Sequence, residues 1–139
     1  MPRDALSVLL DLRRREVDRR RQDLADCMAA ETEAAGTVRS IDAAMALDRD
    51  SAAGSAEAML FRDIFLAARR HLRAERQRAI AVLAEAEARS EAARERLAAA
   101  RLAAEAVDRL ILERTAAARA NADRRAQHEM DDVARRRRK

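Results

Sequence analysis

Proline and glycine, the residues that most often interrupt α-helices, occur at only three positions in this chain of 139 residues: Pro2, Gly36 and Gly54. The rest is mainly Ala, Arg, Glu, Leu and Asp, with 39% charged residues and neither Trp nor Tyr. This composition is typical of long helices and coiled coils rather than of a compact globular core. We therefore predict an all-α protein whose helices pack along a thin seam.

The stretch Asp48–Ser55 is the one place where the helical pattern of the sequence is interrupted, with long helical segments predicted before and after it. Gly54 suits a helix end, because glycine adopts left-handed backbone angles at little cost. Ser51 and Ser55 can each cap a following helix by accepting a hydrogen bond from a free backbone N–H. The stretch predicts a reversal that folds two long helices into an antiparallel coiled-coil hairpin. The predicted bounds are a single domain over residues 1–139, with a helix over about 3–48, a turn over about 48–55 and a longer second helix over about 55–135.

Apolar residues recur in both predicted helices at alternating intervals of three and four, which is the spacing of a coiled-coil seam. The seam predicted for the first helix comprises Leu6, Leu10, Val17, Leu24, Cys27, Ala34, Val38, Ile41 and Met45. The seam predicted for the second comprises Phe61, Phe65, Ala68, Leu72, Ala79, Leu83, Ala86, Ala93, Leu97, Ala100, Ala104, Val107 and Ile111. Gly36 inside the first helix is either a tolerated weak point or a site of bending or close approach by a partner.

The second helix should extend beyond the first. A reversal at Gly54 would bring the start of the chain level with about residues 100–105, so that roughly the last 30 residues project as a single helix. An isolated helix this polar should fray unless a partner holds it. Near this parting point, Val107, Leu110, Ile111 and Leu112 either continue the seam or face a partner.

No arrangement of residues predicts catalysis or metal binding. His71 and His128 are far apart, Cys27 is the only cysteine, and there is no glycine-rich phosphate loop. A metal cage needs several convergent ligands, and none is visible. Neither a signal peptide nor a run of about 20 apolar residues is present. We therefore expect a cytoplasmic protein that is not an enzyme and uses no cofactor, metal or small-molecule substrate.

Three stretches together resemble the FliJ family of flagellar export proteins and the related injectisome stalk proteins. The first is Leu6–Leu12 followed by Glu16-Val17, and the second is the break at Gly54 followed by Phe61, Phe65 and Leu72. The third is Asn121–Lys139, where Met130-Asp131-Asp132 precedes an Arg/Lys tail. The resemblance covers nearly the whole chain, and its third stretch is the most specific.

The resemblance implies an antiparallel two-helix stalk, similar to the central stalk of rotary ATPases, that lies in the pore of the hexameric export ATPase. It also implies contacts with the cytoplasmic domain of the export gate and with export chaperones, and hence peripheral association with the inner membrane. The stalk would promote ring assembly and link the ring to the gate. The residues implied for the ATPase contact are Asn121, Met130, Asp131, Asp132, Val133, Arg135 and Arg136. The residues implied for the gate contact are Ser40, Leu47, Phe65 and Leu72.

The basic tail, Arg135–Lys139, leaves a second interpretation open. A structural or nucleic-acid-binding coiled coil could use this tail to attract phosphates, and its binding would then depend steeply on salt. A stalk would instead form a defined complex with one ATPase, and this interpretation includes no nucleic-acid partner.

Overall fold

The protein consists of two long α-helices in the computed structural model, which describes residues 4–52 and 60–137. Helix α1 spans Ala5–Ala52 and helix α2 spans Arg62–Arg137. The described residues contain no β-strand. The predicted all-α fold with a longer second helix is confirmed, and α2 ends within two residues of the predicted position.

Helix α1 begins immediately after Asp4. The Asp4 carbonyl accepts hydrogen bonds from the backbone N–H groups of Ser7 at 2.9 Å and Val8 at 3.2 Å. The Ser7 hydroxyl donates to the same carbonyl at 2.7 Å. Asp4 therefore occupies the N-cap position, where a carboxylate is favoured by the helix dipole.

Helix α1 continues to Ala52, four residues beyond the approximate end at Asp48 suggested by the sequence. In this last turn the Ser51 hydroxyl donates to the Leu47 carbonyl at 2.9 Å. The helix dipole disfavours an aspartate near a helix C-terminus, but the Asp48 carboxylate accepts a hydrogen bond from Arg69 of α2 at 2.8 Å. This ion pair offsets the unfavourable interaction with the dipole. The rest of the predicted turn, including Gly54, lies outside the described residues.

Contacts divide the chain into two compact parts, and each contains segments of both helices. The first part comprises Met1–Asp18 and Ala98–Lys139. Within it, Asp4 lies 3.6 Å from Arg114 and Arg14 lies 3.9 Å from Asp108. As the residue number increases from Asp4 to Arg14, the number of the paired residue on α2 decreases, so the two segments are antiparallel. The start of α1 is thus level with about residue 114, and the predicted level of 100–105 is wrong because α1 ends and α2 begins later than expected.

The second part comprises Arg19–Leu97 and is antiparallel on the same criterion. Asp42 lies 2.5 Å from Arg76, and Asp48 lies 2.8 Å from Arg69. Each pair joins α1 to α2 at a position that an apolar coiled coil would give to an aliphatic side chain. The ion pairs fix the register, because moving either helix by a few residues would separate both pairs.

Burial follows the predicted seam along most of the hairpin. In the first part Leu10, Val17 and Val107 are buried and Ile111 is half-buried. In the second part the buried apolar side chains are Ala34, Ala79, Ala86, Ala93 and Leu97. Because four of these five are alanines, the seam of this part buries little apolar area per residue.

Three positions differ from the sequence-based seam. Phe61 and Ala68 are exposed, so their assignment to the seam is wrong. The seam position near Ala68 is taken by Arg69, which pairs with Asp48 of α1. Ser90, which was not predicted, is fully buried at seam spacing between Ala86 and Ala93. The three-and-four spacing of the seam therefore holds. Some seam positions are polar, and a prediction that considers only apolar residues does not identify them.

Gly36 lies within α1, and a Cβ atom added there would meet nothing within 4 Å. The described part of the chain therefore makes no close approach that would require glycine at this position. This favours the interpretation of Gly36 as a tolerated weak point in the helix.

Candidate partner-binding surfaces

The C-terminal part of α2 is a helix with every described side chain exposed, from Leu112 to Arg137. We call this segment the extension. Val107 and Ile111, just before it, still belong to the seam, whereas Leu110 and Leu112 are exposed and face outward. At 1.5 Å per residue the extension is about 39 Å long. Beyond the ion pair of Arg114 with Asp4, it makes no hydrogen bond or ion pair with α1 among the described residues.

All seven residues predicted for the ATPase contact lie on the extension and are exposed. Met130 is 71% exposed and Val133 is 52% exposed, although both are apolar. They are followed in the last turn by Arg135, Arg136 and Arg137. Cations at a helix C-terminus are favoured by its dipole. The extension thus combines apolar side chains with a strongly basic end, which is chemistry suited to a protein partner.

The four residues predicted for the gate contact lie in the second part, but they do not form one cluster on one face. Ser40 and Leu47 are exposed, seven residues apart on α1, with Leu47 at 69%. Phe65 and Leu72 are half-buried, also seven residues apart, on the seam side of α2. The structure therefore presents them as two pairs on different helices.

An apolar patch at the start of α2 was missed by the sequence argument. Leu60, Phe61, Ile64 and Leu66 are all exposed over a short stretch of chain. The signal for it was present, since four large apolar residues within seven positions cannot all face a narrow seam. Large exposed apolar patches commonly mark interaction surfaces.

A second missed feature is the cluster of arginines on the side of α2 that meets Asp42 and Asp48. Asp42 raises the pKa of the Arg76 guanidinium above its ordinary value, first through their hydrogen bond and then through charge attraction. Like any arginine, Arg76 is a cation at physiological pH, and the contact with Asp42 favours this charged form. The spacing of six between the aspartates, and of seven between Arg69 and Arg76, was the available signal for these cross-helix pairs.

His71 and several acidic residues form ordinary helix-surface pairs. His71 lies 3.0 Å from Glu75, one turn away, and Arg89 pairs with Glu85 in the same manner. Within residues 4–52 and 60–137 no group of three or more His, Cys, Asp or Glu side chains could hold a metal ion. The described helices also lack any stretch apolar enough to cross a membrane.

These features define a two-helix antiparallel hairpin protein with an exposed C-terminal extension and exposed apolar side chains. The sequence matches the family described as flagellar FliJ protein over residues 2–138, nearly the full chain. The chain therefore belongs to the FliJ family, a family of non-catalytic components of flagellar protein export. No curated protein and no solved structure matches it.

Proposed function

We propose that this protein is the stalk of the hexameric flagellar export ATPase, that it promotes assembly of the ATPase ring, and that it links the ring to the export gate and to export chaperones. The observation that carries the proposal is the extension, in which every described residue from 112 to 137 is exposed. A helix this polar has little intrinsic stability alone, since most helical stability in proteins comes from packing. A pore lined by other protein surfaces would supply that packing.

The chemistry of the extension supports a protein partner. Met130 and Val133 offer apolar contacts near the end of the helix, and Asp131 and Asp132 lie beside them. The terminal arginines would favour an acidic pore lining and would accelerate the encounter more than they increase affinity. Asn121 lies two to three helical turns before Met130, so the seven proposed contact residues extend along about 20 Å of helix.

We place the gate contact in the second part, through Ser40, Leu47, Phe65 and Leu72. The exposure of Leu47 and of the apolar patch beginning at Leu60 supports this placement, because both leave apolar surface in water. Through the gate the protein would be held at the cytoplasmic face of the inner membrane. The chaperone contact has no assigned residues.

Deletion of residues 121–139 tests the ATPase contact. We expect the truncated protein to lose most of its stimulation of ATP hydrolysis and of ring assembly, because the proposed contact residues are removed. A finer variant combines Met130→Ser with Val133→Ser, and its matched control is Leu102→Ser, an exposed leucine of α2 outside the extension. The double variant should weaken ATPase binding about tenfold or more, whereas the control should change it little.

Equal stimulation by the truncated and intact proteins would rule out the extension as the ATPase contact. If Phe65→Ala abolished stimulation while the truncation did not, the opposite end of the hairpin would be the one in the ring. A nucleic-acid-binding role would instead appear as a steep loss of binding to duplex DNA with added salt, without a stable ATPase complex.

The gate contact is tested by Leu47→Ser with the isolated gate domain. The substitution should weaken binding several-fold, because a large apolar side chain is removed from the interface. Its control is Leu102→Ser, a similarly exposed leucine in the other part of the chain. Equal binding by both variants and the unmodified protein would remove Leu47 from the gate contact.

A further inference from the structure

An open groove of about 660 Å³ lies between α1 and α2 within the second part of the chain. Met45 of α1 and Leu72 of α2, both half-buried, supply its apolar surface. Charged side chains of both helices surround them. The groove thus has a mixed lining, with an apolar centre bordered by charges, rather than a purely apolar one.

The charges of the groove do not balance. Four arginines line it against two aspartates, which leaves an excess of two positive charges. Asp42 and Asp48 are committed to Arg76 and Arg69. The groove is also lined by Arg49, Arg73 and Gln77.

The groove offers hydrogen-bond donors that no described residue uses. Arg73 makes no ion pair with any residue in 4–52 or 60–137, and the Arg49 Nε atom only donates to the backbone carbonyl of Met45 at 3.5 Å. The paired arginines Arg69 and Arg76 each donate a hydrogen bond to an aspartate from Nε. A guanidinium carries five N–H donors in a planar fork, so one such bond leaves further donors on each arginine that could serve other carboxylates.

We propose that this groove binds a short acidic segment of a partner protein, in which carboxylates flank one or two large apolar side chains. The carboxylates would pair with Arg73 and Arg49, and the apolar side chains would cover Met45 and Leu72. The groove extends over about 12 Å of α2, from Arg69 to Gln77, which matches two turns of a helical peptide.

On α1, this surface differs from the proposed gate contact. Asp42, Met45 and Arg49 lie on one side of α1, whereas Ser40 and Leu47 lie on roughly the opposite side, as follows from 3.6 residues per turn. The groove also lies outside the extension. On α2, however, Leu72 belongs to both the groove and the proposed gate contact, so the two surfaces share this residue. The groove stands apart from the ATPase contact, and its binding of an acidic peptide can be tested with the protein alone.

An acidic peptide fits the groove better than a nucleic acid does. Duplex DNA presents one negative charge per about 1.7 Å, without gaps. Such a chain of phosphates would pass close to Asp42 and Asp48 and would leave the apolar centre uncovered. A peptide can space its carboxylates to avoid both aspartates and can fill the centre with leucine.

The test is fluorescence anisotropy with a labelled helical peptide that carries glutamates around two leucines. The same peptide with glutamine in place of glutamate is the probe control. Arg73→Glu should weaken binding of the glutamate peptide about tenfold or more, and Arg73→Ala should weaken it less. The matched protein control is Arg70→Glu, because Arg70 is an exposed arginine of the same helix that does not line the groove.

The proposal is supported if the glutamate peptide binds, the glutamine peptide binds at least tenfold more weakly, and Arg70→Glu changes affinity less than about twofold. It is overturned if the glutamate peptide does not bind, or if the variants at positions 70 and 73 weaken it equally, which would indicate a general effect of charge. It is also overturned if duplex DNA competes with the peptide and responds equally to Arg73→Glu. Helicity by circular dichroism verifies that each variant is folded.

Discussion

Replacing Ser90 by alanine should stabilise the protein. The Ser90 side chain is 0% exposed, and its hydroxyl oxygen has no hydrogen-bond partner among the described residues. Burying a hydroxyl without a partner costs about 1–3 kcal/mol, because its hydrogen bonds to water are lost and not replaced. Ser90 therefore lowers the stability of the packing between the two helices at its position in the seam.

The expected gain follows from three contributions. Removing the hydroxyl relieves the desolvation cost, and alanine is a better helix former than serine by roughly 0.5 kcal/mol. Against this, the space left by one oxygen atom costs a few tenths of a kcal/mol, at roughly 24 cal/mol per Å³. The sum is a stabilisation of about 1–3 kcal/mol.

Urea unfolding monitored by circular dichroism measures this change as a shift of the midpoint at constant slope. Ser40→Ala is the matched control, because Ser40 is an exposed serine of α1 whose hydroxyl donates to the Thr37 carbonyl at 2.9 Å. The control variant gains the same helix propensity, but it does not remove a buried hydroxyl that lacks a hydrogen-bond partner. If Ser90→Ala is no more stabilising than Ser40→Ala, the Ser90 hydroxyl is hydrogen-bonded in solution and the reasoning fails.

Two further stability predictions follow from burial. Leu97→Ala should destabilise the protein by about 2–4 kcal/mol, because Leu97 is 6% exposed and is a large side chain in a seam rich in alanine. Leu24→Ala should destabilise it less, because Leu24 is half-buried. A loss of stability below about 0.5 kcal/mol for both, as expected for the 65% exposed Leu102, would show that the seam is misassigned. Gly36→Ala should stabilise by about 0.5–1 kcal/mol in urea unfolding, since the new methyl group meets nothing within 4 Å, and a destabilisation would indicate a close contact there.

The seam shows which parts of the fold follow from local chemistry. The alternation of three and four residues that contains Leu10, Val17, Ala93 and Val107 is a property of the sequence, and each of these side chains is buried. The length of α2 follows in the same way, because its interior contains no proline or glycine to end it. Such features depend on neighbours along the chain and need no knowledge of tertiary contacts.

The candidate surfaces were predictable to different degrees. The position of the extension follows from the unequal helix lengths, and its polar composition is visible in the sequence. The arginine groove was not predictable, because it requires Asp42 and Arg76, 34 positions apart, to lie side by side. A residue count cannot decide which arginines are paired and which, like Arg73, remain available.

The sequence by itself determined that the chain is helical, that it reverses once and that its second helix is longer. Only the tertiary structure decided the register, and with it the level of Arg114 beside Asp4 and the burial of Ser90. The physical reason is that one helical turn resembles the next, so a repeating apolar pattern permits several registers a few residues apart. The choice among them depends on ion pairs between residues distant in the chain, such as Asp48 with Arg69, and these exist only once the helices meet.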